Sequence, residues 1–244
     1  MSASVSVSVS EREGEGEGER EAKSTDRPGE DPRRRRLLEA ALTVFLRFGF
    51  RKTSMDEVAR AANVSRQGLY FHFATKEELF RASVEHFLHT GLAATAAALA
   101  DPDLPLEKRL VAAFDAWAGR FVGALGPNAA DLATAVNEQV GPMIAESEEQ
   151  FVEAISKALR ASGLSAAYKP AGVTGRQLAD TLYASAHGLK HRAETREAFI
   201  EGMTIAVRAM CLPLQEGREE RPTQKPASRR SEGSRPRKAR DKTR

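Results

Sequence analysis

Residues 53–73 read TSMDEVARAANVSRQGLYFHF and carry the signals for two short helices joined by a tight turn. Ser54 is followed three residues later by Glu57, which is the spacing of a capping box at the start of a helix. Asn63 tolerates the left-handed backbone conformation and can end that helix. The sequence therefore predicts one short helix between these residues.

A second short helix is predicted after only two or three further residues. Ser65 can cap it, and Leu69 and Phe73 lie one turn apart on the side expected to face inward. Thr75 can cap a longer helix that begins at Lys76 and runs toward residue 100.

The residues before this stretch predict an amphipathic helix over 33–48. Its apolar side chains recur at three- and four-residue spacing, and they are Leu38, Ala41, Leu42, Phe45 and Phe48. Gly49 follows as its stop. Three short helices in this order predict a helix-turn-helix unit at about residues 54–73, within a domain spanning 33–80.

Charge is segregated along the chain. Residues 33–76 hold 10 Lys or Arg and 3 Asp or Glu, whereas residues 77–215 hold 12 and 17. A compact basic segment beside an acidic body indicates that one part meets a polyanion, although Arg33–Arg36 alone also fits a solvated basic run. The acidic low-complexity segment 1–32 and the basic tail 216–244 are both expected to be disordered.

Composition excludes several classes of protein. The single cysteine, Cys211, excludes an internal disulfide framework and a cysteine-based zinc ribbon. No run of about 18 uncharged apolar residues is present, so no membrane span is expected. The first ten residues lack the basic start and apolar block of a signal peptide. We expect a cytoplasmic protein with no membrane partner.

Residues 81–215 are rich in Ala, Leu, Glu and Arg, a composition that favours helices. Proline and glycine breaks predict five more helices, at about 106–124, 128–140, 143–162, 174–191 and 194–212. A polar loop is predicted at 163–173, and Pro213 is expected to end the last helix. The sequence predicts an all-α protein, in which the helix-turn-helix domain precedes a larger helical domain.

The outward face of the second short helix is the best candidate for function. If Leu69 and Phe73 point into the core, then Arg66, Gln67 and Tyr70 point out. Arg can grip a guanine edge with two hydrogen bonds, and Gln can do the same for adenine. Gly68 costs a helix about 1 kcal/mol relative to Ala. Close approach to DNA would justify it, and drift at a tolerant position is the alternative.

Polar and cationic residues around this helix are candidates for phosphate contacts. Thr53 and Ser54 place hydroxyls at a helix start, where free N–H groups and the helix dipole favour an anion. Lys76 is badly placed for the dipole of its own helix, so either another anion favours it there or nothing does. Tyr70 and His72 add polar tips near the end of the helix that carries them.

Residues 33–80 resemble the DNA-binding domain of the TetR family of transcriptional regulators. The resemblance rests on Phe48-Gly49-Phe50, Thr53-Ser54-Met55-Asp56-Glu57-Val58-Ala59, Val64-Ser65, Leu69-Tyr70-Phe71-His72-Phe73 and Lys76-Glu77-Glu78-Leu79. Two positions depart from the family pattern. Asn63 replaces a glycine, and Gly68 replaces a small hydroxyl residue or alanine, so a base contact there is absent or comes from the backbone.

The resemblance implies a homodimer that binds a palindromic operator on double-stranded DNA, represses transcription, and releases DNA when a small-molecule effector binds the larger domain. It implies a recognition helix from Arg66 to Phe71. Base contacts are expected from Arg66, Gln67, Gly68, Tyr70 and Phe71, and phosphate contacts from Thr53, Ser54, Tyr70, His72 and Lys76.

The resemblance also implies a dimer contact made by the last two helices of each subunit. Two stripes of apolar and small residues on these helices are the candidates: Leu178, Leu182, Ser185, Leu189, Phe199, Met203, Val207 and Met210. An exposed stripe of this size would promote aggregation unless a partner covered it. The alternative is that both stripes pack into their own domain.

An effector pocket is expected among the intervening helices, with apolar walls. Its candidate lining is Phe87, Phe114, Trp117, Phe121, Met143, Phe151 and Tyr183, although residues of this kind also form ordinary core. The effector's identity does not follow from these residues.

No catalytic residues and no cofactor are predicted. His187 and His191 have a spacing able to bind a metal, but no acidic or cysteine partner is predicted nearby, so we expect no metal site. Nucleophile elbows, phosphate loops and dinucleotide fingerprints are absent. Besides a DNA-binding regulator, two alternatives stay open: a helical enzyme or metal-binding protein, and an interaction module whose helix-turn-helix has lost base readout.

Overall fold

A computed structural model describes residues 31–124 and 129–219, with side chains up to residue 214. Every regular element in these ranges is helical, which confirms the all-α prediction. The α-helices are α1 (Pro32–Phe48), α2 (Met55–Ala61), α3 (Arg66–His72), α4 (Lys76–Ala100), α5 (Leu106–Ala118), α6 (Ala129–Ala161), α7 (Leu164–Ala167), α8 (Gly175–Arg192) and α9 (Arg196–Glu219). Most of the two predicted disordered segments, 1–32 and 216–244, lies outside the described residues.

The predicted helix ends of the N-terminal region are confirmed. Gly49 follows α1 at φ 81°, and Asn63 follows α2 at φ 53°, the left-handed region that both residues tolerate. Ser54 and Glu57 form the capping box: Ser54 Oγ accepts from the Glu57 amide at 3.2 Å, and Glu57 Oε2 accepts from the Ser54 amide at 2.8 Å. Ser65 Oγ accepts from the Gly68 amide at 3.0 Å at the start of α3.

The chain forms two compact units. One contains the described residues up to Ala94 together with the first half of α6 as far as Ile144, and the other contains Thr95–Ala124 and the residues from Ala145 onward. The predicted domain boundary at residue 80 falls inside the continuous helix α4.

Aromatic packing holds the first unit together around the end of α1. The Phe45 ring meets Phe80 of α4 edge-on, with centroids 5.0 Å apart, and Phe50 stacks on Phe45 at 5.8 Å. Leu38 and Leu69 are also fully buried. This core fixes the positions of α2 and α3 relative to α1 and α4.

The second unit is built from the end of α4, the second half of α6, and α5, α7, α8 and α9. Phe199, Met203, Val207 and Cys211 of α9 are fully buried in it, and Tyr168 Oη donates to the Met210 carbonyl at 3.0 Å. Burial raises the pKa of the Cys211 thiol to about 11.

Two prolines do not end helices where the sequence predicted that they would. The predicted helices 128–140 and 143–162 are one helix, α6, which contains Pro142, and α9 continues past Pro213. A helical proline leaves the carbonyl four residues earlier without its N–H donor. Those carbonyls belong to the exposed residues Glu138 and Ala209, where water can satisfy them.

Two further boundaries differ from the prediction. Helix α5 ends at Ala118 and is followed by a single 3₁₀ turn, Gly119–Phe121, rather than running to residue 124. The predicted loop 163–173 contains α7 and a 3₁₀ turn, Lys169–Ala171, because left-handed Gly163 and Gly172 begin and end this short segment.

Candidate nucleic-acid interface

Helix α3 presents one face to the core and the opposite face to solvent. Leu69 is fully buried and Phe73 nearly so, which confirms their inward orientation. Arg66, Gln67 and Tyr70 are exposed as predicted, and so are the next two residues, Phe71 and His72. Phe71 leaves 84% of its surface in solvent, so a large apolar ring stands at the exposed end of the helix.

Arg66 is held in place by two neighbours. Its Nη1 donates to Asp56 Oδ2 of α2 at 3.0 Å, and its guanidinium lies 5.6 Å from the centroid of the Tyr70 ring. The sequence did not point to Asp56 for any role beyond the start of α2. The signal that could have identified Asp56 is its negative charge within a segment, residues 33–76, whose charged side chains are mostly basic.

Gly68 lies against the cap of its own helix. A Cβ atom built at residue 68 would be 3.1 Å from Ser65 Oγ, tighter than most real contacts of that kind. The glycine therefore leaves room for the hydrogen bond that the Gly68 amide donates to Ser65 Oγ. This is a reason internal to the fold, additional to close approach to DNA.

Thr53 and Ser54, both predicted phosphate contacts, have different surroundings. Thr53 is only 2% exposed, and its Oγ1 donates to the Gly49 carbonyl at 2.7 Å. Ser54 is exposed, but its Oγ also donates to Glu57 Oε2 at 2.9 Å within the capping box. The Ser54 hydrogen bonds hold the pKa of Glu57 below its ordinary value of 4.5.

Lys76 has backbone carbonyls and an aromatic ring as its described partners, rather than an anion. Its Nζ donates to the Phe50 carbonyl at 3.0 Å and lies 3.4 Å from the Arg51 carbonyl oxygen, and it sits 4.5 Å from the centroid of the Phe50 ring. The ammonium group therefore fastens the connection between α1 and α2. Asp131 of α6 binds the same connection, because its Oδ2 accepts from the Arg51 amide at 2.8 Å.

The first unit carries further cations, of which Arg34 lies against the residue that ends α3. The Arg34 guanidinium lies 5.5 Å from the centroid of the Phe73 ring, which brings the start of α1 beside the end of α3. Arg36, Lys52 and Arg60 are exposed on the same unit. An exposed helix on a unit that presents several cations to solvent is the electrostatic arrangement that favours a nucleic acid backbone.

The residues predicted to line an effector pocket divide between the two units. Phe114, Trp117, Phe151 and Tyr183 form an aromatic cluster in the second unit, where Trp117 stacks on Phe151 with centroids 4.8 Å apart. Phe121 follows in the 3₁₀ turn after α5. Phe87 and Met143 belong to the first unit.

Polar groups border this aromatic cluster. Burial raises the pKa of the Tyr183 hydroxyl, which is hydrogen-bonded to Glu148 of α6, and burial lowers the pKa of Lys190 on the same helix as Tyr183. A separate cavity of about 490 Å³ lies between α5 and α9 and is lined by Val111, Asp115, Ile200, Thr204 and Arg208, among others.

The apolar stripes predicted for the dimer contact lie mainly inside the single chain. Leu178, Leu182, Phe199, Met203 and Val207 are buried, and Ser185, Leu189 and Met210 are half-buried. The first five side chains form the core of the second unit, so they are not available to a partner. The prediction mistook the inner face of these helices for their outer face.

His187 and His191 pack edge-on with ring centroids 4.8 Å apart. Burial, Lys190 and His187 together lower the pKa of His191. Within the described ranges, no group of three potential metal ligands comes together. Across the same ranges no helix is both long enough and apolar enough to cross a membrane.

Comparison with known proteins places the first unit in context. The family model for bacterial regulatory proteins of the tetR family matches residues 37–83. The uncharacterized HTH-type transcriptional regulator YfiR of Bacillus subtilis is 44% identical over 63 residues, which make up 26% of this chain and 31% of YfiR. IcaR of Staphylococcus epidermidis, a negative transcriptional regulator of the biofilm operon icaADBC, is 33% identical over 51 residues, 21% of this chain and 28% of IcaR. The matched segment spans less than a third of either relative.

Solved structures show the same fold over a longer range. The fatty acid degradation regulator FadR from Bacillus halodurans aligns with a TM-score of 0.55 at 13% identity, over 75% of this chain and 96% of FadR. A TetR-like transcriptional regulator from Rhodococcus sp. RHA1 aligns with a TM-score of 0.51 at 23% identity, over 76% and 96%. At these identities the likeness concerns the fold alone.

Proposed function

We propose that this chain, which belongs to the TetR family through residues 37–83, regulates transcription by placing α3 in the major groove of double-stranded DNA. The observation that carries the proposal is the exposed row of Arg66, Gln67, Tyr70 and Phe71 on a helix whose other face is buried. Arg and Gln offer bidentate contacts to purine edges, and an apolar ring can contact a thymine methyl group.

Phosphate contacts in this proposal come from groups around α3. Tyr70 and His72 are exposed on α3 itself, and Ser54 lies at the start of α2. Lys76 keeps one N–H for a phosphate if its two internal contacts persist. Thr53 contributes through the position it gives to α2, because its own hydroxyl is directed at Gly49.

We further propose that the protein acts as a homodimer on an inverted repeat. The support is an exposed apolar row on α9, where Ala198, Ile205 and Leu212 follow one another at intervals of seven residues. Residues at that interval share one face of a helix. Ile205 is 64% exposed and Leu212 51%, so a second copy would remove two large apolar side chains from water.

Ligand-responsive repression is the regulatory mode that we propose. The curated relative IcaR is a negative regulator, which supports repression. The support for a small-molecule site is the cavity of about 490 Å³ between α5 and α9, whose lining combines apolar Val111 and Ile200 with polar groups such as Asp115. The aromatic cluster is mostly buried, and Phe114 and Phe151 expose no surface to a ligand.

Selection of bound fragments from a library of random duplex DNA tests the central proposal. We expect an enriched inverted repeat, and Arg66→Ala is expected to lose about 1–3 kcal/mol of binding free energy on that sequence, with relaxed preference at one base pair. Arg192→Ala removes an exposed arginine of α8 and is the matched control. Absence of any enriched sequence would refute base readout and favour an interaction module instead.

Sedimentation of a variant at the apolar row of α9 tests the proposed homodimer. Ile205→Glu places a charge in the apolar row of α9 and is expected to yield monomers in sedimentation experiments, with weakened binding to the full repeat. An unchanged sedimentation coefficient would exclude this face as the contact between copies.

A further inference from the structure

We propose that Asp56 is a specificity-determining positioning residue, which acts by holding the Arg66 guanidinium in the orientation that reads one base pair. The inference rests on the proposed function, because it assigns Asp56 a role in DNA recognition. It concerns a residue of α2, outside the helix that contacts the bases.

The contact joins the two helices across their turn. Asp56 is the second residue of α2 and Arg66 is the first residue of α3, and Arg66 Nη1 lies 3.0 Å from Asp56 Oδ2. Both side chains are largely in solvent, 66% exposed for Arg66 and 49% for Asp56. The pair is therefore open to the same surface that DNA would approach.

A second neighbour restricts the same guanidinium. Arg66 lies over the Tyr70 ring one turn further along α3, at 5.6 Å from its centroid. With Asp56 at one end and the ring beneath it, the side chain loses much of its rotamer freedom before DNA arrives. Only one of its five N–H donors is engaged with the carboxylate, so an edge remains for a guanine.

The charge of Asp56 needs an explanation on this surface. Residues 33–76 hold three acidic side chains against ten basic ones, and a carboxylate near phosphates opposes binding. Glu57, its neighbour, is accounted for by the capping box. Asp56 also favours the start of α2 through the helix dipole, but a carboxylate at any of positions 55, 56 and 57 would have that effect. The contact with Arg66 is what distinguishes its position.

Loss of this contact should change selectivity more than affinity. An exposed ion pair contributes at most about 1 kcal/mol, so we expect Asp56→Asn to reduce the preference at the Arg66-dependent base pair by about two- to fivefold. Preference at the other base pairs should stay unchanged. Binding to unrelated duplex DNA should stay level or rise, because one negative charge has been removed.

The experiment is competitive binding of the full chain to the selected sequence and to its single-base-pair variants. Arg66→Ala first identifies the base pair that Arg66 reads, and Asp56→Asn is then measured alone and in the Arg66→Ala background. Glu77→Gln, an exposed carboxylate in the first turn of α4, is the charge-matched control. We expect Asp56→Asn to have no further effect on selectivity once Arg66 is absent.

The outcomes separate the two proposals. If the wild-type chain shows no sequence preference, the proposed function itself fails. A wild-type preference that Asp56→Asn leaves intact would overturn the role of Asp56 alone. A uniform loss at every base pair, accompanied by a lower melting temperature, would also overturn it, because that pattern indicates a role in folding α2. A loss of selectivity shared by Glu77→Gln would assign the effect to net charge.

Discussion

Replacing Thr53 with valine is expected to weaken the first unit rather than to remove a DNA contact. Valine keeps the shape of threonine but lacks the hydroxyl that donates to the Gly49 carbonyl at 2.7 Å. Thr53 is 2% exposed and Gly49 is buried, so solvent cannot readily replace this donor. A buried acceptor that loses its donor costs about 1–3 kcal/mol.

Hydrogen exchange is the suitable assay because it reports each unit separately. The loss is expected to raise the exchange rate of amide hydrogens in residues 49–62 by about 5- to 140-fold, the range that corresponds to 1–3 kcal/mol. Amides of α5 in the second unit should be unaffected. Thr43→Val is the matched control, since Thr43 Oγ1 donates to the Glu39 carbonyl at 2.9 Å on an exposed face.

Measurement of the DNA affinity of Thr53→Val can refute the internal role of the Thr53 hydroxyl. If Thr53→Val left exchange unchanged and lowered affinity for all DNA sequences alike, the hydroxyl would be a phosphate contact and its internal hydrogen bond would contribute nothing. Thr53→Ser retains a hydroxyl, so it should preserve more of the protection than Thr53→Val does.

Three further tests address other parts of the structure. Lys76→Met removes the ammonium group from the Phe50 carbonyl and should lower unit stability by about 1 kcal/mol in denaturant titrations, besides weakening DNA binding uniformly; unchanged stability would contradict the internal role. Gly202→Ala should be less favourable than Gly188→Ala, because its Cβ would lie 2.7 Å from a Leu189 methyl carbon that must then move, whereas Gly188→Ala meets open space and should stabilise α8 by about 0.5–1 kcal/mol; equal melting shifts would contradict this packing. The depressed pKa of Glu57 gives stability that is present above pH 4.5 and lost as pH falls through the folded-state pKa. Glutamine can keep the capping hydrogen bonds, as Gln177 does at the start of α8, but it lacks the charge, so Glu57→Gln should match wild type only in acid; a pH-independent difference would refute a contribution from the carboxylate charge.

The helix ends of the first unit were predictable because the interactions that form them are local. Ser54 with Glu57, and Ser65 with the amide of Gly68, connect residues three positions apart. A backbone conformation such as that of Asn63 depends on the residue itself and its immediate neighbours. The orientation of α3 followed from the spacing of its apolar residues.

The features that the sequence did not predict depend on contacts between residues that are distant in sequence or on packing, which residue spacing does not reveal. The partner of Lys76 is a carbonyl 26 residues earlier, and the partner of Arg66 is ten residues earlier on another helix. A proline such as Pro142 costs a helix about 3 kcal/mol, which packing of the flanking turns can offset. The apolar stripes of α8 and α9 showed that something covers them, but an amphipathic pattern does not identify what.

The burial of Cys211 makes this chain convenient for site-specific labelling. It is the only thiol in the sequence, it is fully buried, and a pKa of about 11 leaves almost no reactive thiolate at neutral pH. A maleimide dye would therefore attach to a single cysteine introduced at a solvent-facing position, with the native protein as its own blank. Fluorophores placed on α3 in this way would report encounters with duplex DNA, if the proposed function holds, one molecule at a time.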